Sequence, residues 1–94
     1  MHDTPITFTL GNVVVTPGAL TALAASGQHY LTLLSRHARG DWGDICAQDR
    51  EENARSVREG NRLLSAYTLR NGQRLWIITE SDRSVTTILL PQEY

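Results

Sequence analysis

The 94-residue sequence contains no lysine, one cysteine and no long apolar run, and these absences exclude several classes of protein. Cys46 has no second cysteine for an internal disulfide, which indicates a reducing compartment. The longest unbroken apolar runs, such as Leu75–Ile78, have four residues, far fewer than the roughly 20 that span a bilayer. The first residues also lack the basic and apolar segments of a signal peptide. We therefore expect a cytoplasmic protein with no membrane partner.

The charges are balanced overall and unevenly placed along the chain. Nine arginines and ten acidic residues give a net charge of −1, so no global positive field exists to hold nucleic acid. All nine arginines lie in the range 36–83, and Asp3 is the one ionised side chain in the first 35 residues. Hydrophobic residues make up 40% of the chain, a globular value, and no linker or repeat interrupts it. These features predict a single domain over residues 1–94.

The first third of the chain predicts short strands and a helix. Ile6–Leu10 alternates apolar and polar residues, and a Gly-Asn pair follows before Val13–Val15, which predicts a hairpin or two short strands. Thr16 is a good N-cap, and proline suits the first helical position after it. We therefore predict a helix over Pro17–Ser26.

Two more helices are predicted in the middle of the chain. The range His29–Arg39 has apolar residues at helical spacing and is followed by a glycine, which predicts a helix with His37 near its end. The range Ile45–Glu59 is rich in helix formers and mostly polar, and Asp44 stands where an N-cap is expected. This third helix is predicted to lie on the outside.

The last third predicts three strands, over Leu63–Leu69, Gln73–Glu80 and Val85–Leu90. These ranges are rich in β-branched and aromatic residues. Asn71-Gly72, between the first two ranges, is typical of a type I′ hairpin turn. The fold class that follows is α+β, with three helices covering a three-stranded antiparallel meander.

The most unusual segment is RHARGDWGD, from Arg36 to Asp44. One interpretation is structural: a helix end, a tight turn and an N-cap, with Trp42 packed over the core. The other is an exposed loop that binds another protein, since tryptophan, tyrosine and arginine are frequent interface anchors. Under that hypothesis Tyr67 and Trp76 are further anchors, and the binding residues are Arg36, Arg39, Asp41, Trp42 and Asp44.

Metal and cofactor motifs are absent from the sequence. Asp41 and Glu52 have the end-to-end spacing of an EF-hand loop, but Gly43 and Ile45 occupy ligand positions. Cys46 and the three histidines match no zinc spacing. No phosphate-binding loop, dinucleotide fingerprint or hydrolase elbow is present. We therefore predict no cofactor and no metal.

A catalytic alternative rests on a histidine and the polar residues of the predicted sheet. Histidine titrates near neutral pH, and arginine stabilises a developing oxyanion, which are the needs of metal-independent RNA cleavage. The ordinary interpretation of the threonines is that they decorate the solvent side of strands. Under the catalytic alternative His37 is the general base, Arg36 or Arg62 clamps the phosphate, and the hydroxyl donors are Thr86, Thr87 and Tyr94.

Several blocks of sequence carry a resemblance to a known family. They are RHARGDWGD, then Asp49 and Asn53, then GNRLLSAY, then LWIITESDRSVTTILLPQEY, and they are spread over Arg36–Tyr94, about 60% of the chain. The chain resembles a family of short bacterial proteins found on plasmids and other mobile elements, most of which have no assigned function. This resemblance implies membership of that family without implying a mechanism.

The order of elements carries a second resemblance. Helices followed by an antiparallel sheet, an Arg-His pair near a helix end and a closing Thr-Thr…Tyr are similar to the barnase–EndoU–colicin–RelE ribonuclease-like fold. The chain departs from it in the acidic Asp41, Asp44 and Asp49 close to His37, which would repel a phosphate. The sequence thus favours a protein-binding or regulatory module, with a metal-independent ribonuclease as the alternative. Pairing of an uncovered edge strand would allow a homodimer.

Overall fold

The computed structural model describes residues 8–94, and these residues form three helices and one sheet. The sheet has four strands in the order β1-β4-β3-β2. In chain order the elements are β1 (Asn12–Val15), α1 (Pro17–Ser26), α2 (Tyr30–Ala38), α3 (Ala47–Glu59), β2 (Leu63–Thr68), β3 (Arg74–Thr79), β4 (Val85–Leu89) and a 3₁₀ helix (Pro91–Glu93).

The predicted α+β class is confirmed, and the helices lie close to their predicted bounds. Helix α1 matches its predicted range, because Thr16 accepts a hydrogen bond from the Ala19 N–H and Gly27 ends the helix in the left-handed region at φ 64°. Helix α2 ends near Gly40 with His37 in its last turn, as predicted. None of the helices within residues 8–94 is long and apolar enough to cross a membrane.

Of the predicted N-terminal hairpin or two short strands, the strand at Val13–Val15 is confirmed within β1, and the hairpin is wrong where the structure describes it. Residues 6 and 7 of its first strand lie outside the described residues, and the range 8–10 forms no strand. Asn12 belongs to β1 rather than to a turn, and β1 pairs in parallel with β4. The sheet is therefore a four-stranded mixed sheet, in which the predicted meander of β2, β3 and β4 is extended by β1.

Two local predictions also need correction. The β2–β3 connection is a hairpin, but only Gly72 has a positive φ, of 89°, whereas a type I′ turn needs two such residues. The Gly72 N–H donates to the Leu69 carbonyl, so the loop is a tight turn that ends in one left-handed glycine. Helix α3 begins after Cys46 rather than Asp44, whose carboxylate instead accepts a hydrogen bond from Thr68 at 2.9 Å.

Side chains alternate between the two faces of the sheet, and the helices cover one of them. The main core lies between α1, α2 and that face, and it includes Leu23, Leu33, Leu75, Ile77 and Ile88. A second cluster at the β2 side consists of Phe8, Trp42 and Leu63, with Ile45 and Val57 packed against it. Helix α3 is joined to the edge of β2, because the Asn53 side chain bonds both the N–H and the carbonyl of Leu64.

Candidate functional site

His37 lies in the core and is held by hydroxyl groups. The ring is fully buried. Its Nδ1 is 2.5 Å from Ser65 Oγ, and its Nε2 is 2.9 Å from Thr79 Oγ1. The network continues from Thr79 to Thr86 at 2.7 Å, and the Thr86 hydroxyl donates to the Leu10 carbonyl. Both ring nitrogens therefore have partners inside the protein.

The surroundings of His37 favour the neutral imidazole. Phe8 and Trp42 stand edge-on to the ring, at centroid distances of 5.3 and 5.5 Å. Burial among these groups lowers the pKa of His37 to about 4, because an imidazolium would lose its hydration there. At neutral pH His37 is an uncharged member of a buried hydrogen-bond network.

The structure does not bring the five residues of the catalytic alternative together. His37 and Thr86 share the buried network, whereas Arg62 and Tyr94 bond each other at 2.9 Å on the surface. Thr87 is half-buried, and alternation along β4 places it on the opposite face from Thr86. Because His37 has no contact with solvent, this geometry does not support a general base acting on RNA.

The predicted binding loop is also arranged differently from an exposed loop. Trp42 is only 7% exposed and stacks on Phe8 at 6.0 Å, so the structural interpretation of this residue is correct. The backbone around Trp42 runs along the edge of β2, where the Ala66 N–H donates to the Trp42 carbonyl and the Asp44 N–H donates to the Ala66 carbonyl. Trp42 is therefore not available as an anchor for a partner.

The charged residues of this loop mostly have intramolecular partners. Arg36 donates through Nε to Asp41 at 2.7 Å, and its guanidinium lies 4.6 Å from the centre of the Tyr67 ring. The same hydrogen bond lowers the pKa of Asp41. Tyr67 is buried and donates its hydroxyl to the Asp41 carbonyl. Arg39 is exposed at the end of α2, where it is the C-cap.

A pocket on the face of the sheet opposite α1 and α2 was not predicted. Its volume is about 290 Å³. Leu64 and Ile78 are register partners on neighbouring strands, and Trp76 stands two residues before Ile78 on the same face. The pocket is lined by Arg62, Leu63, Leu64, Trp76, Ile78 and Tyr94.

Three of the lining residues form a connected wall. The Tyr94 ring meets Trp76 edge-on at 5.8 Å, and the Arg62 guanidinium lies 5.6 Å from the Tyr94 ring. Arg62 also forms an ion pair with Glu80 at 3.6 Å. Tyr94 is 69% exposed, so the wall borders solvent. The pocket combines an apolar floor with a guanidinium and a phenol at its rim.

The position of Tyr94 depends on the preceding residue. The Glu93 carboxylate accepts hydrogen bonds from the Thr16 hydroxyl, the Gly18 N–H and the Leu90 N–H. These bonds lower the pKa of Glu93 and hold the 3₁₀ helix against the start of α1. An anion at a helix N-terminus is also stabilised by the helix dipole.

The sequence contained part of the signal for this pocket. Alternation places Leu64, Trp76 and Ile78 on the face opposite Ser65 and Ile77, which are buried against the helices. An apolar set on the uncovered face of a sheet is a binding signal. The catalytic alternative places Arg62 and Tyr94 beside His37, because sequence alone does not show which face a residue beyond a strand end will reach.

Within residues 8–94, no three His, Cys, Asp or Glu side chains cluster closely enough to hold a metal ion.

Comparisons with known proteins add no assignment. The chain was compared with protein-family models, curated proteins and solved structures, and no match was found. The geometry of the pocket is thus the basis for interpreting this protein.

Proposed function

We propose that this protein is a protein-binding module of the plasmid and mobile-element family that it resembles, and that the pocket beside Trp76 is its binding site. The observation that supports this proposal is that Arg62, Trp76 and Tyr94 converge on one apolar pocket at the surface. Tryptophan, tyrosine and arginine are the residue types that dominate binding energy at protein interfaces. The proposal agrees with the sequence-based hypothesis of a binding module, but it assigns the binding site to this pocket rather than to the Trp42 loop.

The small volume and the openness of the pocket suit a single side chain of a partner. Pockets that enclose small ligands and cofactors commonly measure about 300–1,000 Å³. At about 290 Å³ this pocket lies at the lower end of that range and is open to solvent, which suits one apolar side chain of a partner. The hydroxyl oxygen of Tyr94 accepts a hydrogen bond from Arg62, so the hydroxyl proton of Tyr94 points away from Arg62. Arg62 and Tyr94 together offer donors to a carbonyl or carboxylate oxygen next to the inserted side chain.

The occupant that fits is an extended polypeptide segment with one apolar anchor. The floor of Leu64 and Ile78 provides apolar contact. The side chain of Arg62, 47% exposed, retains surface for a polar contact although Glu80 neutralises part of its charge. Each buried anchor side chain contributes about 1.5–3 kcal/mol, which suits a reversible regulatory contact.

Selection from a random peptide library displayed on phage tests this proposal. We expect enriched peptides to share one large apolar residue and to bind the wild-type protein with a measurable Kd. Trp76→Ala should weaken that binding about tenfold or more, since it removes a pocket wall. Tyr94→Ala should also weaken it, and its exposed side chain makes it the safer variant for folding.

The matched control is Leu31→Ala, which removes an exposed aliphatic side chain from α2, outside the pocket. Circular dichroism establishes that each variant is folded. If the enriched peptides bind Leu31→Ala and Tyr94→Ala as tightly as the wild type, the pocket is not the binding site. If no peptide is enriched over a blank surface, the proposal of a peptide-binding module fails.

A further inference from the structure

The outer edge of β1 is a second surface of this protein. Strand β1 stands at the end of the sheet order and pairs with β4 alone among the described residues. Val13 is 38% exposed and Val14 is 47% exposed. A strand with one unpaired side presents N–H and carbonyl groups that can pair with another chain.

The register with β4 shows which backbone groups point outward. The Asn12 N–H donates to the Ser84 carbonyl, and the Thr16 N–H donates to the Ile88 carbonyl, so positions 12 and 16 face β4. Alternation along a parallel ladder means that Val14 also faces β4. The N–H and carbonyl groups of Val13 and Val15 therefore point away from the sheet, and no residue in the range 8–94 bonds them.

The two edges of the sheet differ in their protection. At the β2 edge, the segment around Trp42 and Asp44 bonds Ala66, and Asn53 bonds Leu64. Natural edge strands that are not covered usually carry lysine, proline or a bulge. The sequence Asn12–Val15 contains no charge and no proline, and it pairs with β4 without a bulge.

We infer that a second copy of this chain pairs antiparallel with β1 about a two-fold axis at Val14. In this register Val13 of one copy faces Val15 of the other, and each pair exchanges both hydrogen bonds. The two Val14 residues meet at the axis, with their Cα atoms about 4.5 Å apart. Their side chains are then buried against each other on the face that carries the Trp76 pocket.

Charge and symmetry favour a second copy over a different partner. The same register places Asn12 opposite Thr16, so no charged side chain opposes another across the axis. The outward groups at positions 13 and 15 are equidistant from Val14, and this spacing makes the edge complementary to itself. The result is a continuous sheet of eight strands.

Sedimentation equilibrium of the wild-type chain from about 10 μM to about 1 mM tests this inference. We expect the mass to rise from 10.5 kDa towards twice that value with concentration. Over the same range, hydrogen exchange at the Val13 and Val15 amides should slow at least severalfold, whereas exchange at the Val14 amide should change little. A mass that stays at 10.5 kDa up to 1 mM would overturn the inference.

Val14→Lys and Leu31→Lys form a matched pair, because each replaces an exposed aliphatic residue with lysine. Val14→Lys sets two positive charges opposite each other and should weaken the dimer about tenfold. Leu31→Lys, on α2, should leave the dimer unchanged. A folded Val14→Lys protein that dimerises like the wild type would place the interface elsewhere.

If Val14→Lys does not fold, Val13→Pro tests whether the dimer forms through the edge of β1. Proline at position 13 removes an outward N–H and none of the N–H groups that face β4. We expect a monomer with the same circular dichroism spectrum as the wild type. A Val13→Pro dimer of wild-type strength would equally overturn the inference.

Discussion

At the scale of single residues, His37 decides how the centre of this protein is interpreted. A histidine at a helix end beside arginine and aspartate is typical of a surface site, although His37 also shares helical spacing with Leu33 and Leu34, which favours burial. In the fold, the His37 ring is hydrogen-bonded to the hydroxyl groups of Ser65 and Thr79 inside the core. Buried polar groups of this kind are costly unless every partner is present.

The lowered pKa of His37 predicts that acidification destabilises the protein. Its pKa is about 4 in the folded state and about 6.5 when unfolded, so the unfolded chain binds more protons between these values. Stability is therefore present above about pH 6.5 and is lost as the pH falls towards 4. We expect urea unfolding to give about 2 kcal/mol less stability at pH 5 than at pH 7.

His37→Gln provides the control for this pH dependence. Glutamine keeps hydrogen-bonding capacity and does not titrate, so the variant should be less stable at pH 7 but lose most of the slope between pH 7 and pH 5. An unchanged slope in a folded His37→Gln protein would assign the pH dependence to other groups.

The hydroxyl of Thr79 is predicted to matter more than that of Thr87. Thr79 is fully buried and bonds both His37 and Thr86, so Thr79→Val leaves two buried polar groups without that partner. We expect a loss of about 1–3 kcal/mol in the free energy of unfolding. Thr87→Val, at a half-buried position on the other face, should change it by less than about 0.5 kcal/mol. Equal effects in urea unfolding would contradict the role of the network.

At the scale of elements, the segment from Trp42 to Asp44 protects the edge of β2. It lies so close to the strand that Gly43, at φ 75°, forms a bridge with Ala66. A Cβ at Gly43 would overlap the Ala66 carbonyl oxygen and stand 2.6 Å from the Tyr67 ring. Glycine is thus needed here both for its backbone conformation and for the close approach of two chain segments.

Gly43→Ala and Gly60→Ala separate these two needs. Gly60 has a similar φ of 78°, but a Cβ there meets no atom within 4 Å. We expect Gly60→Ala to cost about 1 kcal/mol from backbone strain alone. Gly43→Ala should cost about 3 kcal/mol, because overlap with β2 is added. Chemical denaturation measures both, and similar costs would show that the segment moves away from β2 easily.

Local signals account for the elements that could be predicted from the sequence. The Thr16 cap and Gly27 stop of α1 act within a few residues, so the helix has its predicted bounds. The partner of β1 depends on a strand at the other end of the sequence, and no local rule gives a parallel pairing with β4. The Trp76 pocket combines residues from two strands and from the segment after β4, and such a convergence depends on the assembled fold.

At the scale of the whole molecule, the β1–β4 ladder joins the two ends of the described range 8–94. The β2–β3 hairpin joins neighbouring segments, whereas the β1–β4 ladder pairs Asn12 with Val85. Closing a longer loop costs more chain entropy, so local hairpins form more readily than distant parallel pairs. We expect the hairpin to be present in the folding transition state and β1 to join after it.

This order predicts opposite kinetic effects for two small truncations. Val15→Ala, in β1, should speed unfolding about fivefold for a 1 kcal/mol loss and leave the folding rate almost unchanged. Ile77→Val, in β3, should act mainly by slowing folding. Stopped-flow chevron plots of both variants, recorded at low micromolar concentration, measure these rates. Val15→Ala that slows folding as much as Ile77→Val would show that β1 pairs early.

The parallel ladder between β1 and β4 also has a consequence during translation. A ribosome adds roughly 5–20 residues per second, so several seconds separate the synthesis of Val14 from that of its register partner Thr87. During this interval the valine strand leaves the exit tunnel with neither side paired. A nascent chain stalled before Val85 therefore presents an uncharged, β-prone segment of the kind that chaperones at the tunnel exit bind.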